Sequence, residues 1–524
     1  MIKKICFFII SFLLIGGLCA THCWLGWRTF SWNGDSASMI LLNMSGWHPA
    51  IVSYMLKFIY IFTGVHIYPL LLLQVIPFYI AIFIMVWAVF KRYNTVWALG
   101  LILPFFIRQL YLMPVELMSS SFSVIWTFLL YSVVLYGVLN PDFKHKITKW
   151  IYLVFVGILF CVALISRQNA IIQVWPIVFV GIGMYLNKID LTLWSYLKRF
   201  IGLSFLSGLL CIVLNLGLTS AISHADNGNV LPATPTFLHQ IAGACLPDMD
   251  TTCFDENWFV PGWKKDPKKW EKLKKLYDEN FLFGDILAAA WISEKPFPHF
   301  TKFDGLYEKW IYAITKHPYN FYLHLKRFYS DIWFQRWDRQ RIMKVKVVPD
   351  DEFEKGSYHT HPVSEREQIE RHKLAENIKP AEFRNFWNKP RKKIGRFLEK
   401  YIPTPANIYY VMLNFILFAY AIFLWLKWRK NTLYLFFLSI TTAGFLSNML
   451  IPLFTPTVWL RYSFPIFACG TLSFCIFLVI AYPKLCDFLK WSFKRLKTIS
   501  FDKKTNIVQS KKQISKRKNK KKSR

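Results

Sequence analysis

The chain has 524 residues, of which 54% are hydrophobic and 18% aromatic, and its 64 basic against 31 acidic residues give a net charge of +33. Repeated apolar runs of about 20 residues exclude a soluble multidomain protein and a nucleic-acid-binding protein. The content of 22 Trp, 25 Tyr and 48 Phe excludes a largely disordered chain. We therefore predict an all-α polytopic membrane protein.

Ten apolar segments are predicted to cross the membrane. Even the shortest, at about 17 residues, is close to the length that spans a ~30 Å hydrocarbon layer. In chain order they are Ile5–Trp27, Ile67–Phe90, Thr95–Met113, Leu117–Leu139, Trp150–Ser166, Ala170–Leu186, Phe200–Ala221, Ile408–Leu426, Leu433–Phe454 and Tyr462–Tyr482. The alternative for the first segment is a cleaved signal peptide, but its extension to Trp27 and the lack of a clean small-residue cleavage site favour an uncleaved span.

The segment Ala50–Thr63 is apolar but short, and it contains Lys57. Counting it as a span would place Lys91 and Arg92 outside the cell. We therefore predict an amphipathic helix that lies on the outer membrane surface.

The positions of the basic residues predict the orientation. With ten spans, basic clusters fall on one side of the membrane, which the positive-inside rule identifies as the cytoplasm. These clusters contain Lys3, Lys4, Lys91, Arg92, Lys144, Lys146, Lys149, Lys188, Lys198, Arg199, Lys427, Arg429 and Lys430. Both termini are then cytoplasmic. The predicted divisions are a seven-span module at 1–222, an extracytoplasmic domain at 223–405, a three-span module at 406–482 and a basic tail at 483–524.

The lysine-rich tail is predicted to attract the anionic lipids of the inner leaflet. Each basic residue of Lys511 to Arg524 contributes about 1 kcal/mol when it lies close to that surface. No nucleic acid is expected as a partner, because the tail lacks interleaved aromatic residues.

The polar stretch between spans seven and eight is too long for an unstructured loop. Apolar and aromatic residues recur at helical spacing in Trp270–Tyr277, Phe283–Trp291, Leu306–Ile314 and Tyr319–Ile332, so we predict a mainly helical domain. Its aromatic residues suit either core packing or stacking on carbohydrate. The stretch from Pro349 to Asn388 is charged and predicted to be exposed.

Two of the ten cysteines, Cys245 and Cys253, lie in this domain. Their separation of eight residues predicts a small disulfide loop in an oxidising compartment. The other cysteines include several in apolar spans, where they are interpreted as packing residues.

Ionisable residues cluster on the predicted outer side. Each short outer connection carries one arginine, and these are Arg28, Arg108, Arg167 and Arg461, accompanied by Asp35, His48 and Glu116. One interpretation is a set of interfacial anchors and local ion pairs, such as Arg108 with Glu116. The other is a binding site for an anionic ligand, because the arginine fork donates two parallel hydrogen bonds to phosphate.

Several short motifs resemble the GT-C superfamily of integral-membrane glycosyltransferases. An acidic residue in the first outer loop, Asp35, precedes a Trp47-His48-Pro49 segment, and Glu116 follows in the second outer loop. An Arg-Tyr-x-x-Pro segment, Arg461 to Pro465, opens a late span, similar to aminoarabinose and mannosyl transferases. Two further features are similar to this superfamily. They are the domain inserted after span seven and a Trp-x6-His-Pro-x3-Tyr segment, Trp310 to Tyr322.

The resemblance implies that a sugar moves from a polyprenyl-phosphate-linked donor to an extracytoplasmic glycan or lipid acceptor in a bacterial inner membrane. Asp35 is then the candidate base, although its position also suits an N-cap for the helix that follows. Arg461 and Tyr462, with Arg167 or Arg108, are the candidates for holding the donor phosphate.

The same resemblance assigns Glu116 and His48 to orienting the acceptor or to binding a divalent metal. Where protein mannosyltransferases have Asp-Glu this chain has Asp35-Ser36, so protein O-mannosylation is not expected.

Two other functions are compatible with the sequence. A transporter or flippase for a lipid-linked or anionic substrate is disfavoured, because the spans hold few ionisable residues and no inverted repeat is evident. A membrane scaffold would leave the acidic and arginine residues of the outer side without a common purpose.

Overall fold

The structure is a computed structural model. It describes residues 2–26, 50–63, 68–116, 119–143, 145–222, 234–258, 266–279, 303–334, 401–455 and 460–483, together with positions 39, 390, 393, 394, 397 and 400. The chain consists of two compact units, Met1–Ser473 and Phe474–Arg524, and the features below lie in the first, apart from the C-terminal half of the last helix. The predicted divisions at 222, 405 and 482 stay a prediction.

The described part of the chain is helical and contains no β-strand. Its α-helices are α1 (Ile2–Gly26), α2 (Ala50–Thr63), α3 (Tyr68–Tyr93), α4 (Arg108–Leu112), α5 (Ser119–Leu139), α6 (Lys146–Ile165), α7 (Ile171–Val174), α8 (Val178–Leu186), α9 (Leu193–Ile222), α10 (Thr234–Cys245), α11 (Pro267–Glu279), α12 (Leu306–Lys316), α13 (Pro318–Trp333), α14 (Asn407–Lys427), α15 (Thr432–Phe454) and α16 (Phe464–Pro483). A 3₁₀ turn, Gln168–Ala170, runs directly into α7, and a second turn joins α7 to α8.

Nine helical segments of the described chain are long and apolar enough to cross a membrane, and a bent pair of helices raises the number to ten. The nine are α1, α3, α5, α6, the composite helix Gln168–Leu186 formed by α7 and α8, α9, α14, α15 and α16. The prediction of an all-α polytopic membrane protein with about ten spans is confirmed. Helix α2 has 14 residues, and its predicted position on the membrane surface stays a prediction.

The third predicted span differs from a straight helix. A 3₁₀ helix, Val96–Phe105, is followed by α4 and a 3₁₀ turn that together cover Arg108–Val115, and the two parts are bent by 84°. Pro104 lies inside the first part and has no backbone N–H, and the backbone of Ile107 is extended. A continuous helix is therefore interrupted between the two parts.

Burial within the described bundle separates central from peripheral helices. Helices α3, α5 and α15 have most of their residues buried inside the protein, whereas α6 and α9 expose most of theirs although they are similarly apolar. Large apolar side chains such as Phe155, Phe205 and Leu206 are exposed on these two helices. Such a surface is stable against lipid tails but not against water.

A buried amide holds α14, α15 and α16 together. Asn414 Nδ2 donates to Asn448 Oδ1 and to the carbonyl oxygen of Ile466, each at 3.2 Å. Gly444 permits the close approach, because a Cβ at this position would lie 2.5 Å from Asn414 Oδ1. Small residues and interhelical hydrogen bonds are the usual means of association where no water drives helices together.

Helices α10 to α13 form a small domain between α9 and α14, here called the inserted domain (described residues 234–258, 266–279 and 303–334). Three of the four predicted helical segments coincide with α11, α12 and α13, and Phe283–Trp291 lies outside the described residues. The aromatic residues Trp258, Trp270, Tyr277 and Phe328 pack into its core, as the core-packing interpretation expects.

Helix α10 docks the inserted domain on the C-terminal end of α15. Thr236 Oγ1 donates to the carbonyl oxygen of Phe454 at 3.4 Å, and Gln240 Nε2 donates to that of Leu453 at 2.8 Å. The last four carbonyl groups of a helix have no intrahelical donor, so these contacts satisfy polar groups that would otherwise be costly.

Helix α13 completes the docking one turn earlier. Pro452 lies inside α15 and has no N–H, so the carbonyl oxygen of Asn448 loses its usual partner four residues later. Trp333 Nε1 donates to that oxygen at 3.2 Å, and the Tyr329 hydroxyl donates to the carbonyl oxygen of Met449. The end of the bundle that carries the inserted domain is called the domain end below.

A pair of neutral histidines lies in the core of the inserted domain. The rings of His239 and His324 are 4.8 Å apart, and His324 Nδ1 is 2.8 Å from the Tyr277 hydroxyl oxygen. Burial lowers the pKa of His239 to about 3. Burial, together with His239 and Arg327, also holds the pKa of His324 well below its usual value.

We expect the inserted domain to lose stability as the pH falls from about 6.5 towards 3. The unfolded domain binds protons at these histidines from about pH 6.5 downwards, whereas the folded domain keeps them neutral, so stability is complete only above that range. At pH 5, His239 alone should cost about 2 kcal/mol, or roughly 30-fold in the opening equilibrium.

Hydrogen exchange of peptides from 234–334, corrected for intrinsic rates, measures this opening. His239→Leu should weaken the pH dependence, and His145→Leu, which changes an exposed ring, should leave it unaltered. Equal pH dependence in His239→Leu and the unaltered protein would contradict the assignment.

Candidate functional site

A cavity of about 510 Å³ lies at the domain end, where the inserted domain meets the bundle. This volume falls within the range typical of small-molecule sites. Helices α5, α9, α10 and α15, the composite helix Gln168–Leu186 and the 3₁₀ turn Leu460–Ser463 contribute to its wall. The lining residues are Ser119, Arg167, Gln168, Asn169, Ile171, Ile172, Trp175, Phe205, Gly208, Leu209, Ile212, Thr236, Phe237, Leu446, Leu450, Phe454 and Tyr462.

The polar part of the lining comes from helix N-termini. Ser119 is the first residue of α5, Gln168 and Asn169 open the composite helix, and Thr236 lies in the first turn of α10. The first N–H groups of a helix lack intrahelical acceptors and carry a partial positive charge, which favours an anion. Three such ends meet at this one cavity.

Arg167 adds a full positive charge to the same place. Its backbone is extended, at φ −163° and ψ 150°, and it forms the N-cap position of the composite helix. Its guanidinium carbon lies 5.4 Å from the centre of the Tyr462 ring, a cation–π contact. The side chain is part-exposed and lines the cavity.

The remaining wall is apolar and faces the bundle periphery. Phe205, Leu209 and Ile212 of α9 line the cavity and are 67%, 45% and 45% exposed. Phe454, at the end of α15, is 56% exposed. In a membrane this flank of the cavity meets lipid tails, because α9 is one of the peripheral helices.

Trp175 gives this apolar wall a fixed shape. Its indole Nε1 donates to the carbonyl oxygen of Ser204 at 3.0 Å and to Ser207 Oγ at 3.1 Å. Gly208 leaves room for the ring, since a Cβ there would lie 3.0 to 3.3 Å from three indole atoms. The cavity is thus cationic and polar on one side and apolar on the other, which suits an amphiphilic anion.

Two of the predicted phosphate-binding residues, Arg167 and Tyr462, lie together in the cavity. Arg461 precedes Tyr462 in the turn Leu460–Ser463, but its side chain lies outside the described part of the structure. Asp35 and His48 also lie outside the described residues. The proximity of these three side chains to the cavity stays a prediction.

Arg108 and Glu116 do not line the cavity. Arg108 opens α4 with a fully buried side chain, and its N–H donates to the carbonyl oxygen of Pro403 at 2.9 Å. Glu116 is buried three residues before Ser119, and Gln74 Nε2 donates to its carbonyl oxygen at 2.8 Å. Arg108 lies just after the bend in the third predicted span, at the first residue of α4.

Cys245 and Cys253 form a disulfide with their Cα atoms 6.5 Å apart. The loop that this disulfide closes contains Asp248 and Asp250. His317 Nδ1 contacts Asp248 Oδ2 and His317 Nε2 contacts Asp250 Oδ2, both at 2.8 Å. Burial raises the pKa of Asp250, but hydrogen bonds from Thr252 and His317 outweigh this and leave the pKa lowered. This cluster fixes the end of α10 against the α12–α13 corner.

No metal site emerges from the described residues. One group of three side chains there, Cys245, Cys253 and His317, is close enough together to hold an ion, and the disulfide occupies both of its sulfur atoms.

Several cavity residues were missed by the sequence interpretation, among them Gln168, Asn169, Ser119 and Thr236. A signal for the first two existed, because they directly follow Arg167 at the start of an apolar span. Nothing in the sequence indicated that Thr236 and Phe237 line the cavity, because their position depends on how the inserted domain docks on α15.

Similarity to known proteins does not identify the site. No family model, no curated protein and no solved structure matches the chain. The chemistry of the site is therefore argued from its own residues.

Proposed function

We propose that the protein is a GT-C-type glycosyltransferase that moves a sugar from a polyprenyl-phosphate-linked donor to a glycan or lipid acceptor. The observation that supports this most is the amphiphilic cavity at the domain end, with Arg167 and three helix N-termini on one side and an apolar wall on the other. A lipid-linked sugar phosphate has the same division between an anionic head and an apolar chain.

The polar side of the cavity suits the charge that develops in this reaction. As the bond between the anomeric carbon and the phosphate oxygen breaks, negative charge grows on the departing phosphate. Fixed cations and oriented N–H groups stabilise such charge without reorganisation. Arg167 retains its charge at any physiological pH and donates two parallel hydrogen bonds to phosphate oxygens.

The apolar side suits the prenyl chain. Leu209 and Ile212 line the cavity and are part-exposed on a peripheral helix, so a lipid can enter sideways from the membrane. Trp175 is held by two hydrogen bonds and offers a rigid surface to the chain. A soluble sugar nucleotide would gain nothing from such a wall, because its carrier portion is polar.

The proposed reaction is one nucleophilic displacement. The acceptor hydroxyl oxygen forms a bond to the anomeric carbon, and the polyprenyl phosphate leaves with the electron pair of the broken bond. The proton of the hydroxyl passes to a carboxylate, for which Asp35 is the proposed base. Glu116 and His48 are proposed to orient the acceptor or to bind a divalent metal, and Arg461 to assist Arg167 at the phosphate.

We propose that the domain end faces the extracytoplasmic side of a bacterial inner membrane, with both termini in the cytoplasm. Basic residues meet at the ends of the helices remote from the inserted domain: Lys3 Nζ donates to the carbonyl oxygen of Asn94 at 2.9 Å, and Arg429 to that of Leu191 at 3.1 Å. The positive-inside rule places such an end in the cytoplasm. The basic tail is proposed to bind anionic lipids there.

Arg167→Gln should reduce sugar transfer at least tenfold while the protein still inserts. The substitution removes the charge and the fork but keeps a polar side chain of similar length. The measurement is glycan analysis of cells that carry the unaltered protein, a deletion or the variant, with matched expression. Arg429→Gln, at the opposite end of the helices, is the control and should leave the glycan unchanged. An unchanged glycan in Arg167→Gln would remove this residue from the site.

Asp35→Asn should abolish transfer in the same assay, because the amide cannot accept the acceptor proton. Asp190→Asn, in the loop between α8 and α9, is the control. If the deletion alters the glycan and Asp35→Asn does not, the base assignment is wrong. If neither alters any glycan and the deletion instead traps a lipid-linked sugar in one leaflet, the protein is a flippase and the transferase proposal is wrong.

A further inference from the structure

We infer that Trp310 of the inserted domain is a positioning residue that holds the first turn of α10 at the mouth of the cavity, so that the inserted domain helps to form the lipid-phosphate site. The inference rests on the proposed function in taking a lipid-linked phosphate as the ligand. Thr236 and Phe237 are the two residues of the inserted domain that line the cavity, and both lie in this turn.

Trp310 acts on this turn through two contacts. Its indole Nε1 donates to Gln240 Oε1 at 2.7 Å, and its rings lie 5.0 Å from the ring of Phe237. The side chains of Phe237 and Gln240 are three residues apart and therefore lie on neighbouring positions of one helix face. The Trp310 indole thus fixes both the Phe237 ring, which lines the cavity, and the Gln240 amide, three residues later.

Gln240 extends the connection to the other wall of the cavity. Its Nε2 donates to the carbonyl oxygen of Leu453 at 2.8 Å, in the last turn of α15. Leu450 and Phe454 of the same turn line the cavity. Trp310, Gln240 and the end of α15 therefore form a hydrogen-bonded relay across the junction of α12, α10 and α15.

This relay gives a structural role to part of the Trp310 to Tyr322 segment, which has no role in the proposed chemistry. Trp310 fixes the middle of α12 to Gln240 of α10, and His317 fixes the C-terminal end of α12 through Asp248 and Asp250. Pro318 then opens α13, where a residue without an N–H is favourable. Helix α12 is thus held near its middle and at its C-terminal end, and it serves as a brace for α10.

The chain offers a matched control for a purely structural role. Trp333, at the end of α13, also donates its indole N–H, to the carbonyl oxygen of Asn448 in α15 at 3.2 Å. Trp333 does not line the cavity, and neither do its partners Asn448 and Phe415. Loss of the Trp310 N–H removes a hydrogen bond within the inserted domain, and loss of the Trp333 N–H removes one between this domain and α15; of the two indoles, Trp310 is the one that contacts the lining residue Phe237.

The experiment compares Trp310→Phe with Trp333→Phe in the full-length protein in nanodiscs. Decaprenyl phosphate is the probe, decaprenol is the uncharged reference, and Arg167→Gln tests the phosphate site itself. Trp310→Phe keeps an aromatic ring beside Phe237 but removes the donor, so affinity for decaprenyl phosphate should fall about fivefold, the size of one lost hydrogen bond. Hydrogen exchange in 234–240 should rise in the same variant.

Trp333→Phe should change the affinity less than twofold and leave exchange in 234–240 unaltered. Gln240→Leu should reproduce the effect of Trp310→Phe, and the double variant should be no weaker than either single variant, because both substitutions break one relay.

Three results distinguish a failure of the inference from a failure of the proposed function. If the unaltered protein and Arg167→Gln differ in affinity but Trp310→Phe binds as tightly as the unaltered protein, the positioning role is wrong and the phosphate site stands. Equal losses in Trp310→Phe and Trp333→Phe also overturn the inference, because they indicate general loosening of the domain. If the unaltered protein retains decaprenyl phosphate no better than decaprenol, the proposed function fails and the inference falls with it.

Discussion

Backbone polar groups at helix ends have to find partners at the boundary of the membrane, and the domain end of this protein is organised by that requirement. Helix α15 ends there with carbonyl groups that lack intrahelical donors, and Pro452 frees one more by removing an N–H. Thr236, Gln240 and Trp333 of the inserted domain donate to these oxygens, and Tyr329 donates to the neighbouring carbonyl oxygen of Met449. The attachment of the domain follows from this shortage of donors.

The first turns of helices that begin at this end, with their N–H donors, form the candidate site. The first described turns of α5, α10 and the composite helix contribute to one cavity. Arg167, at the N-cap of the composite helix, adds a charge where these partial charges already meet. One end of the bundle therefore supplies carbonyl groups that bind the inserted domain and N–H groups that suit an anion. We propose that this anion is the phosphate of a lipid-linked sugar.

The sequence was sufficient for the spans but not for the cavity. Periodicity and length determine where an apolar helix runs, so the positions of nine spans and of α11 to α13 could be predicted. The bend after Phe105 could not, because Pro104 alone does not fix whether a span kinks or breaks. Arg167 could be singled out as a cation on the side of the membrane that the sequence predicts to be extracytoplasmic. Tyr462 was predicted to act with it, but Ser119 and Thr236 could not be assigned to the same site, because they come from distant segments that only tertiary packing brings together.

The proposed chemistry depends most on an anionic lipid head at Arg167. Cryo-electron microscopy of the full-length protein in nanodiscs with added decaprenyl phosphate tests this directly. The expected result is phosphate density within hydrogen-bonding distance of Arg167, with the prenyl chain passing Trp175 towards α9. A cavity that holds only phospholipid acyl chains, with the phosphate bound elsewhere or nowhere, would contradict the proposal.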